Sequence, residues 1–492
     1  YYQTDHGIDS DGSKIQTLSV VPFDMKEKGI RLKSSDWKKD LDDLIKDYNP
    51  QLLALSTTED MWELGLKILD NIKDFKIKNN VPCIAGGVFP TFAPDICIKE
   101  ETIDMVCVGE GENALIDLCK KILNKEDYSD LTNCWVKDKH NDKIFKNTIT
   151  KPVDINNNPK IDISLFEENR LYRPMSGKVY KMIPIETIRG CPFSCRFCNS
   201  PDQMKLYKSI GSNFYRKKRM DLVYEELKHF KDHHNVEYNY FWADTFLAMN
   251  KREFEEFCEI YSEIKLPFWI ETRPETVNDY NIGKLSAVGL DRISFGVEHG
   301  NEAFRLKVLG RLWKNEDIIT ALKVPHKYGV KFSVNNITGF PYETKKIAFD
   351  TIELNRHIES DNQNIFTFVP FHGTPLRKTC EDLGLIKPET ITKCVTTDDT
   401  QINMPQYTPQ EIKEVIRTFN MYVKFPRNRW NDIKKAEKED TEGEKIYKEL
   451  KQEFLEKYMP KPNADPRNSG KDFVFHAKSI DLSKSPQADE MK

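Results

Sequence analysis

The 492-residue sequence contains no apolar run of the length a membrane-spanning helix requires, and no charged-then-apolar leader of the signal-peptide kind. A membrane role is therefore not expected. Charge of one dominant sign is also missing: 74 Lys and Arg stand against 78 Asp and Glu, a net of -4. Nothing in that balance calls for nucleic acid as a partner, and no RNA-binding module is appended. Internal repeats are lacking, which excludes a solenoid. A disulfide framework is lacking as well, because the 11 cysteines are few for this length and Cys83, Cys97, Cys107 and Cys119 sit singly inside apolar runs. Such placement points to a reducing cytoplasm.

Where cysteines do gather, they gather tightly, in Arg189-Gly-Cys191-Pro-Phe-Ser-Cys195-Arg-Phe197-Cys198-Asn199. Three thiolates spaced C-x3-C-x2-C can hold three corners of a cubane iron–sulfur cluster and leave the fourth iron without a protein ligand. A closed zinc site or a four-cysteine electron-transfer cluster needs one more donor, and the next cysteine is the distant Cys258. A structural zinc site and a chance group of buried cysteines are the bland alternatives.

The surrounding pattern is βα throughout. Residues 17–125 alternate strand (Thr17–Val21, Leu52–Ser56, Pro82–Ala85, Asp104–Val108) with helix (Asp36–Tyr48, Met61–Phe75, Ala114–Leu123), which predicts a doubly wound, Rossmann-like parallel sheet. Its first strand is missing, as expected of a chain trimmed at Tyr1. Polar and glycine residues close three strands: Ser56-Thr57-Thr58, Gly86-Gly87-Val88-Phe-Pro-Thr91, and Gly109-Glu110-Gly111-Glu112. There the backbone can approach a bulky ligand closely. Residues 126–178 read as a hairpin and linker. From Val179 six strands (Met182–Ile188, Tyr238–Ala243, Pro267–Glu271, Arg292–Val297, Lys331–Ile337, Ile365–Pro370) alternate with helices, which predicts a partial (β/α)6 TIM-type barrel over 179–376 with its site at the strand ends. The basic, aromatic stretch from Lys205 to Arg219 is either a solvated loop or a contact for an anionic substrate or cofactor tail. A helical segment is expected over 377–435, with an amphipathic run from Pro409 to Phe425, and a charged, largely disordered tail over 436–492.

The cysteine run resembles the signature of the radical S-adenosylmethionine (SAM) superfamily. The three strand-end motifs before it resemble the cobalamin (B12)-binding domain found ahead of many of those enzymes. Trp242-Ala-Asp-Thr-Phe246, Thr272-Arg-Pro274, Gly296-Val-Glu298, Gly339-Phe-Pro-Tyr-Glu-Thr344 and Gly373-Thr-Pro375 look like further shared blocks. The resemblance covers about residues 17–425. It implies a [4Fe-4S] cluster on Cys191, Cys195 and Cys198, with SAM on the free iron. For SAM it suggests Phe197 and Gly339 beside adenine, Glu298 at the ribose, Asp244 near the ammonium, and Arg273 or Arg311 at the carboxylate. For cobalamin it suggests Ser56, Thr57, Gly86, Gly87, Val88, Gly109, Glu110 and Gly111. No D-x-H-x-x-G motif is present, so no histidine from it should reach the cobalt. Where the related blocks commonly have serine, this chain has His299, which either packs or reaches substrate as an acid or base.

The implied activity is a cobalamin-dependent methyltransferase working on an unactivated carbon or a phosphinate centre of a small-molecule or natural-product substrate. A substrate radical would take methyl from cobalamin, and an external donor such as flavodoxin or ferredoxin would supply electrons. A cyclisation or rearrangement without methyl transfer, and a non-catalytic iron–sulfur or zinc protein, are the rival readings.

Overall fold

A computed structural model describes residues 23–30, 36–138, 141, 143–393 and 400–459. The strand expected at 17–21, and most of the tail expected to be disordered, lie outside the described residues. None of the described helices is long and apolar enough to cross a membrane.

The first sheet has the order β1-β2-β3-β4-β5. Strands β1 (Leu53–Ser56), β2 (Cys83–Gly86) and β3 (Met105–Cys107) are parallel, as short apolar runs joined by helical crossovers require. Helices Trp37–Tyr48, Trp62–Asn71 and Glu112–Asn124 supply those crossovers or flank them. Asp36 caps the first of these helices through its side chain. One boundary moves. The predicted hairpin, β4 (Cys134–Lys137) and β5 (Ile144–Lys146), does not belong to a linker, because β4 pairs antiparallel with β3 and carries β5 with it. Val136 and Cys134 point into the apolar layer with Met105 and Leu118, so the hairpin completes this sheet's core.

The second sheet runs β14-β13-β12-β11-β10-β7-β6. Six of its strands are parallel and in chain order: β7 (Lys178–Glu186), β10 (Tyr238–Trp242), β11 (Phe268–Thr272), β12 (Leu290–Glu298), β13 (Lys331–Thr338) and β14 (Asn362–Thr367). This is the predicted partial barrel. An antiparallel strand, β6 (Tyr172–Met175), closes its first edge and was not foreseen in the stretch read as linker. Two short strands, β8 (Ile188–Arg189) and β9 (Arg216–Lys217), pair beside the cysteine loop. Alternation fixes the two faces of the sheet. Phe241, Ile270, Ile293, Phe295, Phe332 and Val334 pack against Phe254, Phe257 and Tyr261 of helix Lys251–Ile264 and its neighbours, so this face is the helix-covered one.

Helix Pro409–Lys424 starts at a capping box, Thr408 with Glu411, and buries Ile412, Val415, Ile416 and Phe419 against the last barrel elements. The expected tail needs correction at its start: Thr441–Lys457 is a helix capped by Asp440, and Leu450 and Phe454 join the same core. Charge on its outer face masked two apolar anchors one turn apart.

Candidate active site

Both sheets present the carboxyl ends of their strands to each other, and two buried carboxylates hold them so. Glu59, just after β1, accepts N–H bonds from His372 (2.8 Å) and Thr392 (2.9 Å), and it lies 2.9 Å from His372 Nδ1 and 3.6 Å from Arg377. Gly373 lies so close to the Phe92 ring that an added Cβ would sit 2.3 Å from it. After β3, the Tyr207 hydroxyl donates to nothing on Gly109 but accepts the N–H of Glu110 (2.8 Å). The Glu110 carboxylate binds Arg216, the N–H of Val153 (3.0 Å) and Arg189 (3.2 Å).

The Glu110 side chain is thus engaged by the barrel's arginines, while its N–H donates to Tyr207 and its carbonyl accepts from Asn133 Nδ2 (3.0 Å). In the basic stretch after the cysteines Lys205 and Arg219 stay exposed, while Arg216, Lys217 and Lys218 are paired into the fold. Arg216 pairs with Glu110, Lys217 with Glu253, Lys218 with Glu226 and Arg219 with Asp221.

The other strand-end residues form a tight backbone crossing. Thr57 N–H donates to the Gly86 carbonyl, Thr91 Oγ1 donates to the Gly87 carbonyl (2.8 Å), and Gly109 N–H donates to Thr91 Oγ1 (3.0 Å). Gly87 has φ 108° and ψ -171°, a conformation open essentially to glycine alone, and a Cβ there would sit 2.5 Å from the Thr57 carbonyl. Ser56 is exposed, Val88 half-buried, and Gly111 precedes helix Glu112–Asn124. These loops thus offer backbone and small side chains over a shallow surface, which fits a large, flat cofactor better than a small anion. No histidine stands in them. His372, the nearest in the facing loop, is held by Glu59 and by the Pro388 carbonyl at 3.2 Å.

The cysteine loop follows β8 at the end of the first barrel strand, and each sulfur has its own polar neighbour. Cys191 Sγ lies 3.4 Å from Thr245 Oγ1, the Ser200 N–H donates to Cys198 Sγ (3.4 Å), and Arg273 Nη1 donates to Cys195 Sγ (3.3 Å). Donors aimed at sulfur suit thiolates. Desolvation pushes the Cys198 thiol up to about 12 and raises that of Cys195 against the pull of Arg311 and Arg273. A metal must therefore supply the compensation for ionising them. Among the described residues no group of three or more His, Cys, Asp or Glu is arranged to hold a single ion.

Arginines and glutamates alternate beside Cys195. Arg273 pairs with Glu275 (2.7 Å), Arg311 reaches Glu275 at 3.4 Å and Glu298 at 2.9 Å, and all four are largely buried. Burial raises the Glu298 carboxyl despite Arg311. Burial also pushes up that of Glu275, but Arg311 and Arg273 outweigh it and hold it below the usual range. Glu298 follows a bulge in β12 and has φ 70°, and its Oε1 occupies the space a Cβ on Gly296 would need, 2.3 Å away. Glu298 and Arg311 thus meet each other, so the structure ties together two residues expected to serve different ends of one ligand. Asp244 accepts from Ser200 Oγ at 3.3 Å. Phe197 lies 6.1 Å from Phe340, ring to ring, beside Gly339.

The Gly339 turn is held by Glu343, whose carboxylate accepts from Gly339 N–H (2.6 Å), Phe340 N–H (2.9 Å) and Thr338 Oγ1 (3.1 Å). His299 belongs to this support. Its Nδ1 accepts the Asn301 N–H (3.0 Å), so Nε2 carries the proton and donates to Glu343 at 3.1 Å. The ring is completely buried, which favours the packing role over substrate contact. Glu275 and Glu343 were given no role in the sequence: Glu275 stands one residue beyond the Thr272-Arg-Pro274 block, and Glu343 lies inside the Gly339–Thr344 block without being singled out.

Comparison with known proteins agrees with this layout. Residues 25–118 match the B12 binding domain, and residues 185–354 match the radical SAM superfamily. An uncharacterized methyltransferase of Pyrococcus horikoshii is 26% identical over 394 residues, covering 78% of this chain and 81% of its own. Two solved structures share the fold at low identity. TsrM from Kitasatospora setae, a radical SAM methyltransferase with cobalamin and a [4Fe-4S] cluster bound, superposes with TM-score 0.55 and 15% identity, covering 79% of this chain and 76% of that one. The cobalamin-dependent radical SAM enzyme OxsB, with aqua-cobalamin bound, superposes with TM-score 0.60 and 16% identity, covering 85% and 64%. With both domains matched in this order, the chain is a member of the radical SAM superfamily carrying an N-terminal B12-binding domain, and its cofactors are a [4Fe-4S] cluster, SAM and cobalamin.

Proposed function

We propose that this enzyme is a cobalamin-dependent radical SAM methyltransferase acting on an unactivated carbon, or a phosphinate phosphorus, of a small molecule. One observation carries the reading: Glu59 and Glu110 dock the strand-end loops of the B12-binding sheet onto the same barrel mouth that holds the cysteine loop. When bound, the cofactors supply one-electron cleavage of SAM and a transferable methyl group. The chain's own residues bind and orient. Cys191, Cys195 and Cys198 are the cluster ligands, with Thr245, Arg273 and the Ser200 N–H on their sulfurs. Phe197 and the Gly339 turn face adenine, Asp244 lies toward the ammonium, and the Arg273, Glu275, Arg311 and Glu298 group faces the remaining polar end of SAM. Ser56, Thr57, Gly86, Gly87, Val88, Gly109, Glu110 and Gly111 form the loops that cradle cobalamin. The docked loops exclude water from the space between, which a radical reaction needs. A small reduced protein such as flavodoxin or ferredoxin is the electron donor.

Anaerobic reconstitution tests this. The protein should take up about four irons and one cobalamin per chain, release 5'-deoxyadenosine with reductant, and pass deuterium from methyl-labelled SAM into a product. Cys191→Ala, Cys195→Ala and Cys198→Ala should each lose cluster and cleavage together; full activity in any of them would overturn the ligand assignment. A second reading, radical chemistry without methyl transfer, is favoured by similarity to an anaerobic magnesium-protoporphyrin IX monomethyl ester cyclase of Rubrivivax gelatinosus, 24% identical over 317 residues and covering 63% of this chain and 54% of its own. SAM consumption with no labelled product would select it.

A further inference from the structure

The concave face of the barrel sheet, opposite the helix-covered one, is lined by alternate residues that stay partly exposed. β13 and β14 alternate half-buried with buried along their whole length, and the half-buried set is the concave one. On one wall stand three aromatic rings. Tyr240 lies 6.0 Å from Trp269 and 6.5 Å from Trp242, and Trp242 is 64% exposed, a large indole surface left open. On the other wall the polar groups form a directional ladder: Asn364 Nδ2 donates to Asn335 Oδ1 (2.8 Å), and Asn335 Nδ2 donates to Ser294 Oγ (2.9 Å). Each amide keeps a second N–H to offer. Trp242 comes three residues before Thr245, whose hydroxyl lies 3.4 Å from Cys191 Sγ, so this lumen opens at the cysteine loop.

Arg173 lies over the Tyr240 ring at 5.3 Å, and the other cations around the opening are paired with carboxylates. Arg189 is shared by Glu110, Glu112 and Glu186; Arg273 is held by Glu275; and Arg311 is held by Glu275 and Glu298. An anionic substrate would find each of the paired cations already neutralised, and a saturated one would leave the indole faces unmatched.

The geometry points to a substrate that is flat, aromatic and uncharged, with an amide-like polar edge, stacking on Trp242 and Trp269 and meeting Asn335 and Asn364 with that edge. This rests on reading the barrel mouth as a radical SAM active site. Isothermal titration of the anaerobically reconstituted holoenzyme with naphthamide, naphthoate and decalin carboxamide separates flatness from charge. Naphthamide should bind about tenfold more tightly than either relative, and Trp242→Ala should weaken it about tenfold while Trp242→Phe largely restores it, in line with the worth of one aromatic stack. Asn364→Leu should erase the preference for amide over acid. Equal affinities for the three probes, or naphthamide binding untouched in Trp242→Ala, overturn the inference. Selective probe binding without 5'-deoxyadenosine release from the wild-type enzyme overturns the functional reading and, with it, the status of the bound molecule as substrate. Release with equal affinities overturns the inference alone.

Discussion

Replacing Glu59 removes one acceptor that two domains share, and the structure sets the size of the effect. Its carboxylate takes the N–H groups of His372 and Thr392 and contacts the His372 ring and Arg377. Arg377 has other partners, the Glu381 carboxylate and the carbonyls of Pro370, Pro388 and Thr390, so its charge is not stranded in Glu59→Ala. The cost falls instead on two buried N–H groups left unmade, about 1–3 kcal/mol each, for a total of about 2–6 kcal/mol. Glu59→Gln keeps one acceptor oxygen and should lose about half of that. Hydrogen exchange reads this directly. In Glu59→Ala the amides of His372 and Thr392 should exchange faster by about a hundredfold or more, since each tenfold is about 1.4 kcal/mol, while the helix-facing strands of the barrel keep their protection. On the proposed methyltransferase reading, methylated product should fall further than 5'-deoxyadenosine, because cleavage would need the barrel alone and transfer both domains. Unchanged protection of those two amides would refute the claim that this carboxylate docks the domains.

Gly87→Ala should lose bound cobalamin, read from its visible absorbance, because φ 108° costs a non-glycine residue about 1–3 kcal/mol and the new Cβ presses on the Thr57 carbonyl; full loading would show that the turn can relax. His299→Gln should lower stability in urea yet leave the pH profile of 5'-deoxyadenosine release unchanged, since the ring serves the Glu343-held turn; an altered profile would return His299 to the chemistry. Glu414, buried beside Lys438 (2.7 Å) and Lys345 (3.1 Å), is pushed up by burial but held below its ordinary 4.5 by those lysines. A depressed carboxyl stabilises the fold above its unfolded value and loses that contribution as pH falls through the folded one. Urea midpoints measured downward from about pH 6 should therefore fall less steeply in Glu414→Gln than in wild type, and equal slopes would remove Glu414 from the acid response.

The sequence spoke clearly where one periodicity served one purpose. The six barrel strands announce themselves because each is a short, largely apolar run followed by helical spacing, even though β13 and β14 bury Asn336, Thr338, Gln363 and Thr367 on their helix-facing side. The helical spacing between β12 and β13 is shared by two helices, Asn315–Leu322 and Val324–Lys327, because Pro325 cannot continue the helical ladder. β6 was hidden because Tyr172-Arg-Pro-Met175 is an edge strand, where proline and charge are tolerated and the apolar alternation is blurred. The hairpin β4–β5 was seen as a pair but not as part of a sheet, since the partner that makes it so, β3, lies a whole helix earlier.

The site was legible in its sulfurs and glycines and illegible in its carboxylates, for a physical reason. A C-x3-C-x2-C run or a Gly-Gly turn is specified by neighbours in sequence, through spacing and backbone conformation. A glutamate's role is decided by whichever cation or N–H the fold brings to it, and for Glu59 and Glu110 those partners are contributed by the other sheet. Gly-Glu-Gly-Glu suggested a ligand loop through its glycines, and the carboxylate between them, to which the sequence assigned no partner, binds Arg216 and Arg189 in the folded chain. The same logic identifies what holds the cobalamin loops over the barrel. If transfer between the two cofactors depends on their separation, it depends on these two carboxylates, which bind partners on the other sheet. Substitutions at Arg216 and Glu110 should then be coupled, the double variant costing methyl transfer less than the two single losses combined, whereas simple additivity would mean that each acts through something other than their shared ion pair.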